Sequence, residues 1–305
     1  MENKFDPFSN KPDISPTSRK LYLFNLTKLN NGKEIKNLNF LSKKEIITKL
    51  EGLTPNTRRT YIIAIVSSLK DRPEPKYKKM YNQYYSLLTQ INADLKSNTT
   101  KSANQEENWI SQEDVEKICE DLVEKALKFK GEKKIDEKEY QTLLDSVILG
   151  LYCLQQPRRN KDYIDMFIVK KMPDNKDHNY LDITNWEWIF NNYKTNSTYK
   201  QVVIDVPAVL VELIKVYLQF HPLKAEIKKG NSSTPFLVDY NSKPLTTSTD
   251  MTRALNRILG GKVGSSMLRN IFLTDKYSSV QAELAKDVKA MGTSVETATN
   301  NYIKV

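Results

Sequence analysis

The sequence predicts a mainly α-helical protein with a small three-stranded β-sheet, arranged as a helical N-terminal domain and a larger α-rich C-terminal domain. Three observations lead there. Apolar residues recur at helical spacing through both halves, as in Ile62, Ile65, Val66 and Leu69 at i, i+3, i+4 and i+7. Residues 96–108, KSNTTKSANQEEN, hold no large apolar side chain and read as a linker. Only residues 162–207 gather Ile, Val, Phe and Tyr into short runs separated by polar turns.

Residues 1–19 are polar, contain Pro7, Pro12 and Pro16, and show no periodicity, so they are expected to form a flexible or lightly docked arm. A helical domain follows over 20–95. Its first apolar segment is Leu21 to Leu29 and its second Lys43 to Leu50. Thr54-Pro55 reads as an N-cap with proline in the first helical position. A further helix is expected from Tyr77 to Leu95. The linker covers 96–109, and the second domain covers 110–305. Ser111, with Asp114 three residues on, is a predicted N-cap. The segment from Glu137 to Leu154 is the most apolar and is the expected core helix. Strands are expected within 162–172, 180–193 and 199–207, with Lys194-Thr195-Asn196-Ser197 as the turn between the last two. A helix begins at Pro207. Phe236-Leu237-Val238 is a short extended piece. Helices resume over Met251–Leu259, Ser265–Tyr277 and Val280–Ala290.

Composition excludes several function classes. The longest nearly unbroken apolar run, Val147 to Leu154, is far short of the ~18 residues that span a bilayer. The N-terminal MENKFDPFSN lacks the apolar region of a secretory signal. Cys119 and Cys153 lie far apart in sequence and are expected to be reduced core residues of an intracellular protein. His178 and His221 are the two histidines, and with two cysteines at this spacing they make no zinc site. Gly260 to Ser266 has the look of a phosphate loop but lacks the Lys-Ser/Thr order. Asp162, Asp165, Asp182 and Glu187 have no spacing that suits a carboxylate–metal transposase.

The net charge is +10. Residues 1–108 carry +8, 109–147 carry −4 and 148–305 carry +6. Two readings fit: a lysine-rich solvated surface, or two basic lobes facing a polyanion such as nucleic acid.

An ordered series of polar motifs favours the second reading. Gln155 to Tyr163, QQPRRNKDY, sits between the core helix and the first strand. Tyr193-Lys194-Thr195 sits in a strand turn, Ser266-Met267-Leu268-Arg269 opens a late helix, and Met291-Gly292-Thr293-Ser294 stands shortly before Tyr302. The order Arg, Lys, x-x-x-Arg, Gly-x-Ser, Tyr resembles the catalytic domain of the tyrosine recombinases, the phage-integrase family, in the versions carried by large DNA viruses and their mobile elements. The resemblance covers 110–305 and extends more weakly to 20–95, which are similar to the family's helical core-binding domain.

The resemblance implies a site-specific recombinase or integrase acting on double-stranded DNA. Arg159 and Arg269 would clamp the phosphate oxygens bidentately, with Arg158 as the alternative first arginine. Lys194 would protonate the leaving 5′-oxygen. Tyr302 would attack phosphorus to give a 3′-phosphotyrosyl link. Bond energy is conserved, so no ATP, metal or other cofactor is expected. Two positions depart from the family: Ser266 stands where it usually has histidine, and Thr293 where it has histidine or tryptophan. Both can donate a hydrogen bond, but neither is a base near neutral pH. Arg58, Arg59, Lys70 and Arg72 of the first domain, with Arg158, are candidate DNA contacts. The expected assembly is a homo-oligomer, a tetramer on paired DNA sites, located wherever its DNA resides, in nucleus, cytoplasm or viral factory, with no membrane partner. The family often carries a further helix beyond its tyrosine that packs on a neighbouring protomer. This sequence ends three residues past Tyr302, so either it is truncated or assembly uses another surface. Two other functions stay open: a DNA-binding protein with a degenerate recombinase site, and a type IB-like topoisomerase or telomere resolvase.

Overall fold

A computed structural model describes residues 5–97 and 100–303. The outermost residues of the expected arm, two linker positions and the last two residues lie outside that range. The chain divides between Thr100 and Lys101 into two units, within the expected linker.

Prolines open three helices of the first unit, where their fixed φ suits the first turn and no hydrogen bond is lost. These are α1 (Pro16–Leu29), α3 (Pro55–Leu69) and α4 (Pro75–Ser97). Between the first two come a short 3₁₀ turn (Asn39–Ser42) and α2 (Lys44–Glu51). Thr54 stands at the N-cap of α3, but its hydroxyl bonds Thr57 Oγ1 rather than a backbone N–H. α3 is the central helix, with Ile62, Ile65 and Leu69 at most 1% exposed. Tyr84 of α4 closes the core and donates to the Leu41 carbonyl at 2.7 Å.

Of the flexible or lightly docked arm expected over 1–19, the described residues from 5 onward are docked on the first unit, and from Pro16 they are helical. Phe8 is buried in the core at 1% exposure. The Arg72 guanidinium donates to the carbonyls of Asp6 and Pro7, at 3.3 and 2.9 Å, and Asp6 is ion-paired with Arg19. One aromatic anchor and two arginines therefore hold a segment that shows no periodicity of its own.

The second unit begins with α5 (Ala103–Asn108), inside the expected linker, closed by a capping box between Ser102 and Gln105. Ser111 caps α6 (Gln112–Leu127), accepting from the Asp114 N–H. α7 (Glu137–Cys153), with its own Asp136/Glu139 capping box, runs through the centre of the core. After it come a single helical turn, α8 (Lys161–Ile164), then β1 (Met166–Val169), β2 (Asn179–Asp182) and β3 (Glu187–Phe190). A second one-turn helix, α9 (Asn196–Tyr199), leads to β4 (Val202–Asp205). α10 (Ala208–Phe220), α11 (Lys224–Lys229), β5 (Thr234–Pro235) and α12 (Ser248–Leu259) follow. The chain then forms α13 (Ser265–Ala290), α14 (Val295–Thr297) and a π-helical turn (Ala298–Tyr302).

The sheet has five strands rather than the expected three, in the order β4-β3-β2-β1-β5. β1 and β2 are parallel, and the other pairs are antiparallel. The segment 180–193 divides because the Asp182 carboxylate accepts from the N–H groups of Thr184 and Asn185, turning the chain. Trp186 completes the turn at φ 59°, in the left-handed region that bulky residues seldom adopt. β5 is only two residues long and carries no sequence signature. A second correction concerns α13, which runs unbroken where two helices over 265–277 and 280–290 are expected. Ser278-Ser279 is neutral in a helix interior rather than a breaker.

α10 packs on α7 at Gly150, where an added Cβ would meet Leu210 and Leu213 at 3.3–3.4 Å. The turn after α7 meets the sheet through Gln155, which accepts from the Trp188 indole of β3 at 2.8 Å.

Candidate functional site

The turn after α7 carries Arg158 and Arg159, and buried polar groups fix its path. Asn160 accepts from the Tyr152 hydroxyl at 2.7 Å. It donates to the Ser248 carbonyl at 2.9 Å and to Thr252 Oγ1 at 3.0 Å, both on α12. Asn179 of β2 donates to the Asp162 carbonyl at 2.9 Å. Gln155 links Trp188 and Tyr163, with both bonds at 2.8 Å. The backbone of 155–162 is therefore tied to α12 and to two strands.

The two arginines then have different fates. Arg158 turns inward. Its Nε donates to Asp162 Oδ2 at 3.0 Å, and its guanidinium lies 3.7 Å from the Phe190 ring centroid. Burial pushes the Asp162 carboxyl above the usual carboxylate range, against the opposing pull of Arg158 and then Arg159. Asp162 Oδ1 is buried without a hydrogen-bond partner. The Arg159 guanidinium makes no hydrogen bond or ion pair among the described residues, and it is half-buried.

Arg269 arrives from the second turn of α13. Its neighbours Met267, Leu268 and Ile271 are buried and anchor that turn in the core. Arg269 itself is half-buried, and its guanidinium has no protein partner among the described residues. A cleft of about 370 Å³ opens between these elements. Arg158, Arg159, Asp162 and Arg269 line it, and Gln156, Pro157, Tyr193, Thr195, Tyr199 and Val202 complete its wall. Two unpaired guanidiniums converging on one half-buried cleft make a site for an anion with several oxygens.

The other expected catalytic residues are placed differently. Lys194 is exposed and does not line the cleft, although both its neighbours do. Tyr193 fixes that connection, donating to the Lys200 carbonyl at 2.9 Å. Ser266 lines a different cleft of about 310 Å³, with Lys262 and Asn270. Thr293 follows the C-terminus of α13 and Tyr302 is 61% exposed at the chain end; neither lines the arginine cleft. The cleft lining thus includes Arg158, Arg159 and Arg269, whereas Ser266, one helical turn before Arg269 on α13, lines the other cleft, and Thr293 and Tyr302 line neither.

Tyr199 is the cleft residue that sequence reasoning misses. It stands in the expected strand 199–207 but belongs to α9, where it is 68% exposed at the cleft edge. The signal was weak: a tyrosine among β-formers reads as strand.

In the first unit, the candidate DNA contacts divide in the same way. Arg58 directs its guanidinium to the carbonyls of Leu50, Glu51 and Leu53, closing the end of α2. Arg72 holds the N-terminal segment. Arg59 is exposed and donates to Asn92 Oδ1 at 2.5 Å. Lys70 is exposed, and its ammonium has no partner among the described residues.

Among the described residues no group of three or more His, Cys, Asp or Glu could hold a metal ion, and no helix is long and apolar enough to cross a membrane. Comparison with protein families, with curated proteins and with solved structures finds no match to this chain.

Proposed function

We propose that this chain is a DNA strand-transfer enzyme of the tyrosine-recombinase kind, with a backbone phosphate of duplex DNA seated between Arg159 and Arg269. One observation carries the reading. Two arginines far apart in sequence, on different elements, line one cleft, half-buried and with neither guanidinium in a hydrogen bond or ion pair among the described residues. Burying an arginine without an anion is unfavourable, so such a pair is suited to a phosphate. Arg158 is held by Asp162, which leaves Arg159 as the first arginine of the site.

The two guanidiniums neutralise the non-bridging oxygens as charge builds on them in the pentavalent transition state. The Tyr302 phenolate attacks phosphorus. The bond to the 5′-oxygen breaks, that oxygen takes a proton from Lys194, and a 3′-phosphotyrosyl link remains. Rejoining reverses the step. Because Tyr302 stands outside the cleft, cleavage requires the segment after α13 to move when DNA binds. Exchange between two DNA sites requires more than one copy of the chain.

A second reading, a DNA-binding protein with a degenerate site, is favoured by Ser266, Thr293 and Tyr302 not lining the arginine cleft. Incubation with nicked or half-site duplex, followed by a denaturing gel, decides between them. A protease-sensitive adduct that Tyr302→Phe abolishes, with DNA affinity kept, is the expected result for the enzyme. Binding with no adduct on any such substrate leaves the degenerate binder. An adduct that survives Tyr302→Phe means another nucleophile. Relaxation of a single plasmid without exchange between sites would point to a topoisomerase.

A further inference from the structure

The first two turns of α13 are built into the core, but the rest of the helix shows solvent an apolar stripe. Leu273, Tyr277 and Val280 are 50%, 43% and 58% exposed, and Leu284 is half-buried. Their spacing of four, three and four residues places them in one seam along the helix. Among the described residues none of the four belongs to a hydrophobic core, and the next buried residue along the helix is Val288, at 4% exposure. Isolated exposed apolar residues are ordinary, but a seam of them over three turns marks a contact surface.

We propose that this seam pairs with the same seam of a second copy, with the two α13 helices antiparallel and the two-fold axis between Ser278 and Ser279. In that register Leu273 faces the second copy's Leu284, and Tyr277 faces its Val280. The small side chains of the serine pair sit at the axis, where the helices come closest.

The charges beside the seam select this partner. Lys276 and Glu283 flank the same side, one near each end. Neither makes an ion pair among the described residues. Lys276 lies over the rings of Phe272 and Tyr277, at 5.6 and 5.5 Å, so its ammonium is held at the seam. Antiparallel pairing sets each Lys276 within a turn of the other copy's Glu283, on both sides of the axis. Parallel pairing would instead set Lys276 beside the other copy's Gln281, and no lysine–glutamate pair would form. The surface is therefore complementary to itself in one orientation only. Four side chains per copy cover less than the ~800 Å² per partner of a standard interface, so the dimer is weak and concentration-dependent.

The inference is independent of the phosphate cleft, and its test uses the full chain without DNA. Sedimentation velocity over a concentration series should show a monomer–dimer equilibrium. Val280→Asp should leave monomer at all concentrations, with an unchanged circular dichroism spectrum. Lys276→Glu and Glu283→Lys should each weaken dimerisation by about tenfold, and the two together should restore it to within about threefold. A parent chain that stays monomeric throughout, or a double reversal no better than the single ones, overturns the proposal. The second outcome would mean that the copies meet elsewhere, and the first that the seam has a different partner.

Discussion

Arg158 and Arg159 are adjacent in sequence, and replacing each by methionine should separate a structural arginine from a phosphate-binding one. Arg158 is 21% exposed and Asp162 is 2% exposed, with their charged atoms 3.0 Å apart. Removing Arg158 leaves a buried carboxylate with one oxygen already unpartnered and the other newly so. Breaking a buried pair from one side costs about 3–5 kcal/mol. In a unit of about 200 residues each kcal/mol lowers Tm by roughly 2–4 °C, so Arg158→Met should lose about 10 °C. The loss should shrink in acid, because Asp162 already has a raised pKa and escapes the penalty on protonation. Arg158→Met with Asp162→Asn should recover most of it, since the stranded charge is gone. Arg159 makes no hydrogen bond or ion pair among the described residues and acts on Asp162 less strongly than Arg158 does, so Arg159→Met should cost no more than about 1 kcal/mol of stability while weakening DNA binding. Thermal melts at pH 7 and pH 5, with duplex binding for each variant, read out both effects. A stable Arg158→Met together with an unstable Arg159→Met would refute the assignment of the two arginines.

Three further outcomes are expected. Affinity for duplex DNA should fall steeply with salt, and Arg159→Met together with Arg269→Met, which hold one phosphate between them, should reduce the log–log slope by about 0.9, as read by fluorescence anisotropy at several salt concentrations. Stability should fall as pH drops from about 6.5 to about 4, by up to ~3 kcal/mol, because burial holds the His221 imidazole at a pKa of about 4 while the unfolded chain protonates near 6.5; between those values the unfolded state binds the extra proton, so the contribution is full above pH 6.5, and urea melts of His221→Asn should lose that pH slope. Phe8→Ala should destabilise the first unit by about 3–5 kcal/mol, measured by urea unfolding, whereas the same truncation in a free arm would change nothing.

Local chemistry was legible in the sequence. Pro55, Ser111 and the stripe at Ile62, Ile65, Val66 and Leu69 mark real helices, because a cap, a fixed φ and a 3.6-residue period act within one or two turns. The helical content of both units and the mixed region at 162–207 follow from signals of that range. Other features depended on contacts between distant residues. The strand count turned on Asp182 and Trp186 folding one apolar run into a hairpin, and on a two-residue strand that exists only because β1 offers it an edge. No periodicity could show that Phe8 would be buried, because its anchor Arg72 lies far along the chain. Two neighbouring arginines look alike in sequence; a buried aspartate and the Phe190 ring took one of them, and the other stayed free beside Arg269. The motif order sets Ser266, Thr293 and Tyr302 in one series with the arginines, but motif order holds no distances. Ser266 faces a second cleft from the first turn of α13, and the unbroken course of that helix through Ser278-Ser279 sets where Thr293 and Tyr302 follow it.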